Sequence, residues 1–367
     1  MTSGLVREGA RIMAICNACR YCEGYCAVFR AMERRTAFAA ADLHQLANLC
    51  HNCGECLYAC QYAPPHEFGV NVPQTFARLR LESYEAYAWP AGLSRAFGRH
   101  SVATSLALAG AMVAVMLAVT LAAGQARGPV APAEFYQVLP HGVMIAIFGG
   151  VFAFVVAALG VGLGRFIRED ASADTGRGPQ RDIVLSRHGP AVWQALRDAL
   201  TLRNLHAHGA DCTDAGEEAR TPARRLLHHC TFYGFALCFA STSVAAIYHW
   251  LGWQAPYDYL SAPVILGTSG GVGLVVGPAG LYWIGRRRDP AAGDPAQRPM
   301  DRGFIVLLLL TSLTGLVLMA LRATAAMPAL LMVHLGVVLA LFVTLPYGKF
   351  VHGLYRTAAL VRDARER

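Results

Sequence analysis

A chain of 367 residues with 55% hydrophobic and only 15% charged residues is too apolar for a wholly soluble enzyme, because an ordinary soluble domain carries about 25% charge. The apolar content and a mean hydropathy of +0.36 exclude disorder and fibrous structure, leaving an integral membrane protein with something attached. The net charge of +8, almost all from arginine, has three possible sources: nucleic acid, anionic lipid or membrane topology.

Residues 1–100 are mixed in polarity and hold eight of the eleven cysteines, between Cys16 and Cys60; Cys212, Cys230 and Cys238 are scattered later. The start, MTSGLVREGARIM, has no apolar core or small-residue cleavage site, so the expectation is a head that stays in the reducing cytoplasm. Clustered thiols in that compartment read as metal ligands rather than disulfides. Cys16-Asn-Ala-Cys19-Arg-Tyr-Cys22-Glu-Gly-Tyr-Cys26 and Cys50-His-Asn-Cys53-Gly-Glu-Cys56-Leu-Tyr-Ala-Cys60 both have the C-x2-C-x2-C-x3-C spacing of two-cluster ferredoxins. Three thiolates two residues apart wrap one cube, and the fourth points away to complete the other. The spacing therefore assigns Cys16, Cys19, Cys22 and Cys60 to one [4Fe–4S] cluster, and Cys50, Cys53, Cys56 and Cys26 to a second. Structural zinc is the competing reading, but zinc takes four ligands per ion and usually separates its cysteine pairs widely. The usual proline after the fourth cysteine is replaced by Ala27 and Gln61, a departure from bacterial ferredoxins.

From Ser101 six apolar stretches follow, near 101–123, 142–164, 230–251, 263–284, 304–325 and 329–348, each close to the 20 or so residues that span a bilayer. They lack strand alternation, so they are expected as helices. The fourth is glycine-rich, which suggests close helix packing through Gly273-x-x-x-Gly277 or room for a porphyrin, and the fifth contains Arg322. The connections on the head side (165–229, 285–303 and the tail) carry Arg165, Arg168, Arg181, Arg187, Arg203, Arg224, Arg225, Arg286, Arg287, Arg288, Lys349, Arg356 and Arg362. The opposite ones carry only Arg127, with Arg322 close by. This bias puts the head in the cytoplasm and removes the need for nucleic acid. The expected architecture is mostly α: a cytoplasmic two-cluster ferredoxin-like domain over 1–100, then a six-helix transmembrane bundle of cytochrome b type over 101–367, with a cytoplasmic insertion at 165–229. Within that insertion Trp193, Leu196, Leu200 and Leu205 recur at helical spacing, predicting an amphipathic helix near 189–205 that packs on the head, lies on the membrane or receives a partner.

Histidine inside lipid is a functional candidate by default. His228, His229 and His352 fall near the cytoplasmic surface; His141, His249 and His334 fall near the far one. This is the arrangement a dihaem cytochrome b needs, with His229 or His228 opposite His352 and His334 opposite His249 or His141. Interfacial histidines that merely meet headgroups are the plain alternative. Tyr248, His249 and Trp253 suggest a quinone contact, although aromatic residues are enriched at that depth anyway.

The head run ICNACRYCEGYCAVF…LCHNCGECLYACQYAPPHEFGVNVP, with HHCTFYGF later, resembles the tricarballylate/citrate-utilisation electron-transfer proteins over essentially the whole chain. The resemblance implies an inner-membrane iron–sulfur and haem b protein. Such a protein reoxidises the FADH2 of a soluble tricarballylate dehydrogenase-like flavoprotein and passes electrons to the quinone pool. The last helix, His334…LPYGKFVHGLYR, separately resembles the cytochrome b subunit of respiratory nitrate reductase. There an earlier helix offers two histidines ten residues apart; here that stretch has His141 but Val151, so either the third helix supplies a ligand or only one haem binds. Two competing functions remain: a haem-free iron–sulfur anchor that reduces quinone directly, and a redox-sensing organic-acid carrier in which Arg322 meets a carboxylate.

Overall fold

The computed structural model describes residues 3–97, 102–122, 135–174, 188–205, 222–253 and 255–367. Cys212, Arg127, Arg181 and Arg187 lie outside the described residues, as do residues 98–101 at the expected head boundary. Among the described residues there is no strand.

The head is built from α1 (Gly4–Cys19), α2 (Ala27–Glu33), α3 (Ala40–Leu49), α4 (Glu55–Tyr58), α5 (Val72–Tyr87) and α6 (Ala91–Phe97). Ser3 starts α1 by accepting the Val6 amide at 3.2 Å, and Asn71 starts α5 by accepting that of Gln74 at 3.1 Å. Val6, Gly9, Ile12 and Met13 recur on one face of α1 and meet α3 and α5. Ile12, Met13, Met32, Leu43, Leu46, Phe76 and Leu79 are fully enclosed. Each such side chain is worth roughly 1.5–3 kcal/mol of apolar burial.

Six helices among the described residues are long and apolar enough to cross a membrane. They are α7 (Val102–Ala122), α9 (His141–Asp174), α11 (Ala223–Trp250), α12 (Ala262–Arg287), α13 (Arg298–Leu321) and α14 (Met327–Thr344). Short α8 (Phe135–Val138), the helix α10 (His188–Leu200) and a C-terminal α15 (Val351–Arg365) complete the chain. Several boundaries differ from the sequence expectation, and two of them bear on candidate residues. Helix α11 starts at Ala223, just after Pro222, about seven residues before the apolar stretch, so His228 and His229 lie past its first turn. Helix α13 starts beside Pro299 and ends at Leu321, so Arg322 caps it instead of lying within it. Arg322 donates to the Tyr257 carbonyl at 2.8 Å and lies 4.0 Å over the Tyr259 ring, which occupies the guanidinium that a carrier would need.

The glycines of α12 serve helix contact. A Cβ on Gly234 of α11 would stand 2.9 Å from the Gly270 carbonyl and 3.0 Å from the Leu274 amide, so the two backbones touch.

The head sits on one end of this bundle. His44 Nδ1 meets the Tyr87 hydroxyl at 2.9 Å, and that hydroxyl donates to Glu169 on α9. Arg165 reaches the Ala88 carbonyl at 2.9 Å. From the other terminus α15 is held by Arg34–Asp363 and Arg35–Glu366 ion pairs, with Asp363 fully enclosed. Helix α10 packs on α15 through Ala191 and Ala195, whereas Trp193, Leu196 and Leu200 of the predicted stripe point outward. The small residues allow the closer approach. Only Leu205 of that stripe, in the turn that follows, reaches the head.

Candidate metal centres

Both cysteine runs use the same local design: helix end, tight turn, helix start. Cys16 and Cys19 occupy the last turn of α1, which Arg20 closes in the left-handed region (φ 54°) with its amide on the Cys16 carbonyl. Cys22 follows in the turn, and Cys26 is the residue before α2. In the second run Cys50 ends α3, Cys56 lies in α4, and Gly54 between them has φ 89°. A Cβ there would press 3.2 Å from both Ala292 and the Tyr58 ring, so glycine is required twice over.

The turns bring the thiols into two groups. Cys16, Cys19, Cys22 and Cys60 line one open-mouthed cavity of about 350 Å³. Cys26, Cys50, Cys53 and Cys56 line a second of about 420 Å³. Each cavity thus borrows its fourth thiol from the other run, and Phe29 is a wall of both. All eight cysteines are free thiols. Burial, then the neighbouring Cys22, Cys60 and Cys19, pushes the Cys16 thiol up to about 12. Burial, then Cys50, likewise raises Cys26 to about 12. Groups that repel one another in this way ionise together only around a cation, which is the property of a metal-ligand set. Among the described residues no three His, Cys, Asp or Glu converge on a single ion. Eight thiols in two groups of four, each drawn from both runs, are a donor set that fits two sulfur-bridged iron centres.

The outer cavity opens to solvent beside Tyr21 (65% exposed) and Gln61, whose Nε2 lies 3.9 Å from Cys19 Sγ. The second has a similar mouth, but none of its lining residues is exposed. Arginines from several helices converge on the peptide that carries its thiols. Arg80 and Arg356 donate to the Cys50 carbonyl at 2.9 and 2.8 Å, Arg224 to those of His51 and Asn52 at 3.2 Å, and Arg288 also donates to Asn52. The amide of Asn52 donates to Cys50 Sγ at 3.3 Å.

His51 lines that inner cavity. Burial, followed by Arg356, His228, Arg224 and His352, holds its imidazole well below the ordinary histidine value, so the ring is neutral and next to the bundle histidines. There the structure brings His228 and His352 together with ring centroids 6.1 Å apart and planes at 78°. His229 faces Tyr233 instead, at 5.7 Å, so of the two partners expected for His352 it is His228 that meets it. His352 Nδ1 donates to the Lys349 carbonyl at 2.5 Å, which leaves Nε2 as its lone-pair nitrogen.

At the far end His141 and His249 stack with centroids 3.8 Å apart, and Tyr136 packs on both. His334 joins neither. Its Nδ1 lies 3.0 Å from Thr314 Oγ1, whose own proton goes to the Leu310 carbonyl at 2.7 Å, and its ring lies against Gly315. The expected far pair of His334 with His249 or His141 is therefore not formed. Tyr248 and Trp253 stack nearby at 4.2 Å.

Comparison with known proteins bears on the whole chain. The family described as "Citrate utilization protein B" matches residues 95–367, and its "Fer4-like domain" matches residues 9–86. The chain belongs to the citrate utilization protein B family. A curated relative from Escherichia coli, also described as "Citrate utilization protein B", is 50% identical over 363 residues, covering 98% of this chain and 92% of the relative. No solved structure matches. The Fer4-like match covers all eight clustered cysteines, and the second match covers the six long apolar helices.

Sequence reading alone passed over His51, hidden inside the cysteine motif, and counted Arg224, Arg288 and Arg356 as topology signals only. The first could have been found by asking what lies between two cysteines of a ligand run. The arginines carry no signal of their inward direction.

Proposed function

We propose that this chain is an electron conduit between a reduced flavoprotein and membrane quinone, in support of citrate or tricarballylate use. The two thiol groups would each hold a [4Fe–4S] cluster and the His228–His352 pair a haem b; bound, these groups supply one-electron carriers between a two-electron donor and a two-electron acceptor. One observation carries the reading. Phe29 lines both thiol cavities, His51 lines the second, and His51 interacts electrostatically with His228 and His352, whose rings pair at 6.1 Å.

The fit of the histidine pair is geometric. The ring centroids of His228 and His352 are 6.1 Å apart, and these two imidazoles would hold the haem iron. His228 Nδ1 is buried with no hydrogen-bond partner among the described residues, and the lone-pair nitrogen left on His352 has the form a ligand needs. The 3.8 Å stack of His141 on His249 is too tight to admit an ion, so this reading has one haem, on the head side.

The remaining residues hold and insulate. Arg80, Arg224, Arg288 and Arg356, which donate to the Cys50 and Asn52 carbonyls, would offset the negative charge of four thiolates beside them, which would favour accepting an electron there. The dehydrogenase, an FAD protein, would dock on the head, where the first thiol group is open. The head-side ends of the bundle carry Arg165, Arg224, Arg225, Arg288 and Lys349, which supports a cytoplasmic head at the inner membrane.

The visible spectrum of detergent-purified, dithionite-reduced protein tests the reading. Sharp b-type bands are expected over broad iron–sulfur absorbance; broad absorbance alone would leave the haem-free anchor. Replacing Cys53 with Ser should abolish quinone-linked turnover while the partner still reduces artificial dyes. Surviving quinone turnover would refute the route.

A further inference from the structure

The second thiol group has one wall that comes from outside the head. Residues 202–205, from the insertion between α9 and α11, lie over it: Leu202 and Leu205 are buried against Cys53, and Asn204 lines the cavity with all four thiols. Leu202 holds φ 49°, a conformation that costs a non-glycine residue about a kcal/mol and persists only where packing enforces it.

Asn204 is 8% exposed. Arg30 Nη2 donates to its Oδ1 at 3.3 Å, and because guanidinium is a donor only, this contact fixes which end of the carboxamide is oxygen. The opposite end, Nδ2, is buried and has no hydrogen-bond partner among the described residues. A buried amide N–H without an acceptor costs about 1–3 kcal/mol, so its position calls for one. The polarisable acceptors lining the same cavity are sulfurs. At the first thiol group a side-chain amide, Gln61 Nε2, already stands 3.9 Å from Cys19 Sγ.

We propose that Asn204 is a hydrogen-bond donor to the sulfurs of the iron–sulfur cluster held by Cys26, Cys50, Cys53 and Cys56, and so helps to set its reduction potential. This rests on the iron–sulfur reading of that thiol group and deepens it. Asn204 acts as a positioning and tuning residue. An N–H aimed at sulfur stabilises the more negative, reduced form and raises the potential. The donor is supplied by a part of the chain outside the cysteine-bearing head, so the insertion and the head share the site.

The test is a redox titration of the full-length, detergent-purified protein followed by electron paramagnetic resonance, with N204L, which keeps the volume and removes the donor. The potential of one of the two clusters should fall while the other stays in place. In protein exchanged into deuterated water, an exchangeable deuteron coupled to that cluster should be present in the natural chain and missing in N204L. Unchanged potentials, a rise, or a coupling that persists in N204L would overturn the proposal. A rise would mean that the segment only shields the cluster from water. Should N204L retain too little iron, N204A carries the same two expectations with less bulk. If the natural protein contains no acid-labile sulfide, the iron–sulfur reading itself fails, an outcome distinct from intact clusters with unmoved potentials.

Discussion

His228 and His229 differ by one position and by about 100° around a helix, so only one of them can face His352. The structure gives that face to His228 and turns His229 to Tyr233. The two alanine variants should therefore behave differently. H228A is expected to lose the b-type absorbance of the reduced protein, and H229A to keep nearly all of it, in spectra normalised to iron–sulfur content. Equal losses would mean that the pair had been wrongly chosen. The sequence put both residues at the start of the third helix and left them undecided, because spacing along one helix does not say which face meets α15. The cysteines were legible in full, since their pairing into cavities follows from spacing over a single turn. The far histidines were not. His334 is held by Thr314 and Gly315 from the neighbouring α13, residues with no motif to announce them.

At the scale of helices the clearest demand is at the α11–α12 contact. A Cβ on Gly270 would lie 2.8 Å from the Cys238 amide and 2.8 Å from the Gly234 carbonyl, both backbone atoms that cannot step aside. Gly285 on the same helix has nothing within 4 Å of that position. G270A should therefore destabilise by roughly 1–3 kcal/mol through overpacking, whereas G285A should be neutral or stabilising by about 0.5–1 kcal/mol through helix propensity. Thermal denaturation in detergent compares the two directly, and equal melting temperatures would show that the helices can separate without penalty. The six long apolar segments and the glycine-rich fourth one were visible in the sequence as period-free hydrophobic runs. Their ends were not: Arg322 ends α13 inside a stretch that stays apolar on both sides, and α11 begins after Pro222 in a charged stretch that apolar counting leaves out. The insertion helix shows the converse: its large apolar residues made the visible pattern, but its alanines make the contact, and Trp193 remains 70% exposed.

For the molecule as a whole, the two thiol groups are chemically alike and differ in setting. One is lined by the exposed Tyr21 and Gln61; the other has no exposed lining residue and takes Asn204 from the insertion into its lining. Under the proposed relay that difference would give a direction, since a soluble donor would meet the first group more readily and the second shares His51 with the surroundings of the histidine pair. It also predicts unequal chemical lability. Ferricyanide or a hydrophilic iron chelator, added to the full-length protein in detergent, should destroy one cluster first, leaving the other detectable by electron paramagnetic resonance. Replacing Cys19 with Ser identifies the labile signal by deleting it, and replacing Cys53 with Ser should delete the resistant one. With the flavoprotein as reductant, C53S should still show the first cluster reduced, whereas C19S should leave the second cluster oxidised. If the second cluster in C19S were reduced as fast as in the natural chain, electrons would have a second way in, and exposure would not order the relay.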